Sequence, residues 1–309
     1  MEIKDFEVEQ WMNLWETKCT HNVAETCVYS LSLDQLFELT GGDKQAFLDA
    51  FAARRLTYGD IEGRPDLLSG IAKLYRTVAP EHIIPTHGAA GANALVLSTL
   101  VNPGDHVVSV MPTYQQLYSI PEMCGAAVDV LHLEKENGYH VDVEALDALC
   151  TPETKVICIN NPDNPTGALL DGETLRAIVE VARKNDAWLH CDEVYRHLNQ
   201  TDEYAESVVD LYDKGVTTSS MSKVAGGHPS GLVRHQGRTA APRPSVPSRL
   251  QPHLLRLVRR GRGRLRAGPC RRHPRPQPPY RAREFGYAFG MGGIGAAPVR
   301  RSARGRHDG

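Results

Sequence analysis

The feature that most limits what this chain can become is an alternation running between residues 88 and 223. Short apolar or β-branched runs (Val107–Val110, Val128–Leu133, Val156–Ile159, Ala187–Cys191 and Thr217–Ser220) take turns with helical stretches at 91–101, 114–123, 142–149 and 173–184. Upstream, residues 43–57 and 64–79 place Phe47, Phe51, Leu67, Ile71 and Leu74 at three- and four-residue spacing, which predicts two further helices. Parallel strands need a crossover long enough to hold a helix, so this order predicts a mostly parallel sheet covered on both faces. The expected fold class is α/β, in three layers. In open sheets of this kind reactive groups gather beyond the carboxyl ends of the strands. The polar clusters fall there: His87–Gly91, Pro112–Tyr114, Asn160–Gly167, Asp192–Tyr195 and Ser220–Lys223.

The alternation stops where the composition changes. Residues 1–224 hold 16 Lys and Arg against 35 Asp and Glu, a net charge of −19. Residues 225–309 hold 19 Arg, no Lys, two acids and 11 of the 20 prolines, a net charge of +17. The overall net charge of −2 is thus a cancellation of two unlike parts, each with its own reading. Three segments are expected: an N-terminal stretch 1–40, a folded domain 41–224, and an Arg/Pro/Gly-rich tail 225–309 without helical or strand periodicity. Such a tail reads as disordered, with affinity for nucleic acid only of the non-specific, charge-driven kind. A reading-frame shift in a GC-rich gene gives the same composition. His228–Arg234 can be back-translated so that the neighbouring frame reads Ile-Arg-Leu-Gly-Trp-Phe, an Arg-x-Gly stretch.

No apolar run approaches the ~20 residues of a membrane helix, and the opening residues lack a secretory pattern. The seven cysteines form no CxxC pair and no metal-ligand spacing. Reduced thiols, a cytoplasmic location and no metal are the expectations.

The strand ends carry complementary chemistry. Gly88-Ala89-Ala90-Gly91 offers small residues and free N–H groups at a helix start, suited to a phosphate. Tyr114 offers a flat ring. Asn164 sits in a turn fixed by two prolines. Asp192 closes an apolar strand, where a carboxylate is costly unless it meets a cation. Ser220, Ser222 and Lys223 add hydroxyls and an amine. Each signal alone is as compatible with ordinary turns, a core tyrosine or a solvated lysine. Together they describe a site for pyridoxal 5′-phosphate.

Asn160-Asn161-Pro162-Asp163-Asn164-Pro165-Thr166-Gly167, Asp192-Glu193-Val194-Tyr195 and Ser220-Met221-Ser222-Lys223, in this order and spacing, resemble the aspartate aminotransferase superfamily, the fold type I pyridoxal phosphate enzymes. Tyr58-Gly59 with Gly63, and Pro112-Thr113-Tyr114, fit the same pattern. The resemblance covers about residues 10–224. It implies an aminotransferase acting on an amino acid, with Lys223 carrying the cofactor as an aldimine and moving a proton at the substrate's α-carbon. It implies Asp192 at the pyridine nitrogen, Asn164 and Tyr195 at the phenolic oxygen, and Tyr114 stacked on the ring. Ala89, Ala90 and Ser220 would hold the phosphate, and Tyr58 the phosphate of a neighbouring subunit in a homodimer. Glu25 and His87 fall where substrate contacts are expected.

The family's pattern then breaks. Eight positions past the lysine, where the resemblance implies an arginine, stands Gly231. The C-terminal small domain is expected to be missing or replaced, and activity impaired. Two alternatives stay open: an aminotransferase-like enzyme of another reaction type, such as an arginine oxidase or desaturase of natural-product biosynthesis, and a polyanion-binding protein acting through the basic tail.

Overall fold

A computed structural model of the chain describes residues 4–198, apart from 25, 27, 29, 30 and 56, together with 205–223 and the backbone of 230–235. Eight helices and seven strands are built from these residues. The helices are α1 (Glu7–Trp15), α2 (Leu33–Thr40), α3 (Lys44–Ala52), α4 (Pro65–Ala72), α5 (Gly88–Leu100), α6 (Gln116–Cys124), α7 (Val143–Leu149) and α8 (Gly172–Lys184). The strands are β1 (Ile83–His87), β2 (His106–Met111), β3 (Ala127–His132), β4 (Thr154–Asn160), β5 (Trp188–Asp192), β6 (Gly215–Ser220) and β7 (Ser230–His235).

Local chemistry sets many of the helix starts. Ser32, Asp43, Asp142 and Asp171 each cap a helix by accepting the N–H three residues on. Pro65 opens α4, where its missing N–H costs nothing.

One seven-stranded sheet runs in the order β1-β7-β6-β5-β4-β2-β3. Strands β2 to β6 pair in parallel, and β7 lies antiparallel between β6 and β1. The carboxyl ends of β1 through β6 therefore lie along one edge. The alternation of side chains across a strand divides the core in two. On one face Val107, Val156 and Cys158 pack with Leu97 of α5 and Leu117 and Ile120 of α6. On the other, Val108, Ile157, Ile159 and Leu189 pack with Ile71 of α4 and Leu175 and Ile178 of α8.

The α/β, three-layer, mostly parallel architecture is the one anticipated. Two strands were not. Ile83–His87 is short and carries Pro85, so it resembles a turn approach. Ser230–His235 lies inside the stretch read as tail, yet its backbone pairs with β1 and β6 on both sides. Among the described residues, the last strand of the sheet is thus Ser230–His235 and not Thr217–Ser220. Residues 236–309, most of the predicted basic tail, lie outside the described residues. None of the five described cysteines is disulfide-bonded, and among the described residues no helix is long and apolar enough to cross a membrane.

Candidate active site

The site is assembled from the carboxyl ends of five strands. β1 delivers His87, and Gly88 at φ +70° turns the chain into α5. A left-handed backbone there favours glycine. Ala89 and Ala90 follow in the first helical turn, whose N–H groups have no intrahelical acceptor. Two strands away along the same edge, β6 ends at Ser220. The Ser220 Oγ lies 2.6 Å from Ser222 Oγ and accepts the Ser222 N–H at 3.1 Å. The next residue, Lys223, is half-buried and accepts the Val28 N–H on its carbonyl at 3.1 Å.

Beyond β6 along the same edge lie β5 and β4. Asn160 and Asp192 are register partners at their ends. The Asn160 amide donates to the Asp192 carbonyl at 2.7 Å and the Pro162 carbonyl at 3.1 Å, and accepts the Asn164 N–H at 2.7 Å. The Asn161 N–H also donates to the Asp192 carbonyl, at 3.0 Å. The Asn/Pro turn is therefore bolted to the end of β5, and it holds Asn164 half-buried beside Asp192.

Asp192 is the electrostatic centre. It is almost fully buried, accepts the Asn93 side-chain N–H on Oδ2 at 2.8 Å, and accepts the Val194 N–H on Oδ1 at 3.1 Å. Burial pushes its carboxyl above the usual range, and these two hydrogen bonds oppose that rise. Among the described residues no cation pairs with it. Tyr114 sits at the end of β2 with its ring edge-on to Phe6, centroids 5.0 Å apart, and donates weakly to Glu9 at 3.4 Å. Burial, then the nearby Glu9 and Asp192 carboxylates, drive its phenol well above the ordinary value. The Tyr195 hydroxyl lies 2.7 Å from Thr26 Oγ1, so the N-terminal segment reaches the site.

The structure thus brings Asp192, Asn164, Ser220, Lys223 and the start of α5 with Ala89 and Ala90 to one edge, with Tyr114 and Tyr195 at the neighbouring strand ends. His87 is exposed on that edge. Tyr58 is almost fully exposed and joins no other site residue. Glu25 lies outside the described residues. Asn93 is the member that sequence reasoning missed: a polar residue in a mostly apolar helix gives no signal until its partner is known.

Residues 44–227 match the aminotransferase class I and II family. This chain belongs to that family. Among curated relatives, an arginine–pyruvate transaminase of Pseudomonas aeruginosa is 34% identical over 186 residues, which are 58% of this chain and 47% of the relative. An aspartate aminotransferase of Musicola paradisiaca is 34% identical over 175 residues, 54% of this chain and 44% of the relative. The chain spans about half the length of these relatives. A solved PLP-dependent aminotransferase from Streptococcus suis superposes with a TM-score of 0.73 at 42% identity, covering 76% of this chain and 63% of that one. A tetra mutant of the aspartate aminotransferase of Thermus thermophilus gives 0.58 at 27% identity, covering 62% of this chain and 55% of that one.

Class I and II aminotransferases take pyridoxal 5′-phosphate, and the residues present fit that group. A buried carboxylate without a described cation suits a protonated ring nitrogen. Free N–H groups at the start of α5 suit a phosphate.

Proposed function

We propose that this aminotransferase-family chain acts on an amino acid as a transaminase, using Lys223 as its amine and Asp192 as the partner of the cofactor's ring nitrogen. One observation carries the reading: Asp192 is buried at a strand end, hydrogen-bonded on both oxygens, and lacks a cation among the described residues. Its two hydrogen bonds offset only part of the cost of burying that charge, and a cationic ligand would offset more. Pyridoxal phosphate supplies, when bound, an electron sink for a substrate carbanion. Asp192 keeps the ring nitrogen's proton in place. Asn164 and Tyr195 donate to the phenolic oxygen, Tyr114 covers the ring, and Ala89, Ala90 and Ser220 hold the phosphate. Lys223 anchors the cofactor and then moves the proton at the substrate's α-carbon. His87, and Glu25 on the N-terminal segment, are candidate substrate contacts.

The test is chemical. Borohydride treatment of the full chain with pyridoxal phosphate should leave a covalent adduct on the Lys223 peptide, absent in Lys223→Ala. Adduct spread evenly over surface lysines would refute the assignment. The arginine–pyruvate relative makes arginine the first amino donor to assay, with pyruvate as acceptor.

The exposed Trp11, Trp15, Tyr58 and Ile61 support a homodimer in which Tyr58 serves the partner's site. The composition of residues 225–309, with 19 Arg and no Lys, supports a shifted reading frame. Nucleotide sequence across codons 222–232 decides it: the neighbouring frame should continue the family's pattern.

A further inference from the structure

The face of the sheet beneath α5 carries polar side chains that the proposed chemistry leaves unused. Asn93, His190 and Thr218 are all fully buried. Polar groups this deep persist only when they satisfy one another. Asp192 and Thr218 are register partners on β5 and β6, and His190 precedes Asp192 by two residues, hence on the same face. Asn93 faces them from α5.

Their hydrogen bonds run in one direction. An ionised carboxylate only accepts, so Asn93 turns its Nδ2 to Asp192 Oδ2, at 2.8 Å. Its Oδ1 is then left to accept the Thr218 hydroxyl, at 2.6 Å. Thr218 Oγ1, having donated, accepts in turn from His190 Nε2 at 3.2 Å. His190 is therefore the neutral Nε2–H tautomer, and burial lowers its pKa to about 3. Its Nδ1 is an acceptor with no partner among the described residues. Chains of this kind polarise one another in a low-dielectric interior. The same amide N–H also lies 3.4 Å from Gln116 Oε1, a weaker contact.

We propose that Asn93, oriented by Thr218 and His190, is a positioning residue that fixes the Asp192 carboxylate for its ion pair with the cofactor's ring nitrogen. This rests on the reading of Asp192 given above. Asn93 touches no reacting atom; it acts through Asp192.

The experiment compares two ligands of the full chain: pyridoxal 5′-phosphate and the analogue in which the ring nitrogen is replaced by CH. Dissociation constants are measured by spectroscopic titration for the unaltered chain, Asn93→Leu and Thr218→Val. Asn93→Leu should weaken pyridoxal phosphate by roughly tenfold or more, the scale of one hydrogen bond to a charged group, and leave the analogue within about twofold. Thr218→Val, which frees the amide to turn and also takes the acceptor from the His190 Nε2–H, should act in the same direction to a smaller extent. If Asn93→Leu does not fold, the Thr218→Val comparison decides alone. Equal weakening of both ligands, or none of either, overturns the positioning role. An unaltered chain that does not prefer pyridoxal phosphate over the analogue overturns the Asp192 reading, and this proposal with it.

Discussion

Glu193, next to Asp192, is a buried carboxyl with a different task. The Ser207 hydroxyl approaches both its oxygens at 2.8 Å, the Val208 N–H donates at 3.1 Å, and Arg196 Nε stands 3.9 Å away. The Arg196 guanidinium lies over the Tyr75 ring at 4.7 Å and donates to the Ala205 carbonyl at 2.6 Å. Glu193 thus ties the end of β5 to residues 205–208. Burial pushes its carboxyl up from 4.5 to about 7, against the opposing pull of Arg196. The folded state therefore binds this proton more tightly than the unfolded chain does. The stability it contributes is complete below pH 4.5 and is lost as pH rises to 7. His190 works the other way: with its pKa lowered from 6.5 to about 3, it costs stability as pH falls through that window. The two slopes oppose each other between pH 4.5 and 6.5. Glu193→Gln should remove this opposition, so its urea midpoint should drop more steeply from pH 7 to pH 5 than the parent's. A parallel drop would show that Glu193 stays ionised in the fold.

At the scale of elements, β6 is held in place by a lack of side chain. A Cβ on Gly215 would stand 2.5 Å from the Val208 carbonyl oxygen and 2.9 Å from that of Tyr212, both backbone atoms. Rigid backbone cannot yield as a side chain does, so Gly215→Ala should destabilise the fold by about 1–3 kcal/mol. Thermal unfolding measures it, and an unchanged midpoint would mean that the turn before β6 relaxes freely. Because β6 carries Ser220 and leads to Lys223, the variant should also lower cofactor affinity. In α8, the opposite kind of change applies. Ile178 is fully buried between helix and sheet, so Ile178→Ala should cost about 2–5 kcal/mol through the cavity it leaves. That loss should appear in denaturant unfolding of the domain, with no selective effect on the site at the other face.

At the scale of the whole molecule, the large apolar side chains that are exposed among the described residues concentrate at the N-terminal end. No residue of α1, α2 or α3 is buried, and Val8, Trp11, Leu14, Trp15 and Ile61 face solvent. Two exposed tryptophans one helical turn apart on α1, with Val8 and Leu14 beside them in sequence, are what an interaction site would present. Trp11→Glu should therefore shift the chain from dimer to monomer in sedimentation, and a monomeric parent would remove the homodimer proposal. The change of composition after Val224 acts at this scale too. If the frame is shifted, the gene read in the restored frame should give a protein that transaminates faster than the 309-residue chain.

The amino-acid sequence by itself determined the family and most of the sheet. Short apolar or β-branched runs separated by helical stretches made β2 to β6 and α5 to α8 legible, because a strand buried on both faces shows as a continuous apolar run. The motifs at 160–167, 192–195 and 220–223 named the groups at the carboxyl edge. What only the tertiary structure decided are pairings between distant positions. Asn93 and Asp192 are 99 residues apart, and no local period records which helix will cover which strand. The same holds for β7. Its six residues carry no strand signal of their own, and they take that conformation because β1 and β6 present unpaired backbone groups to both of its sides.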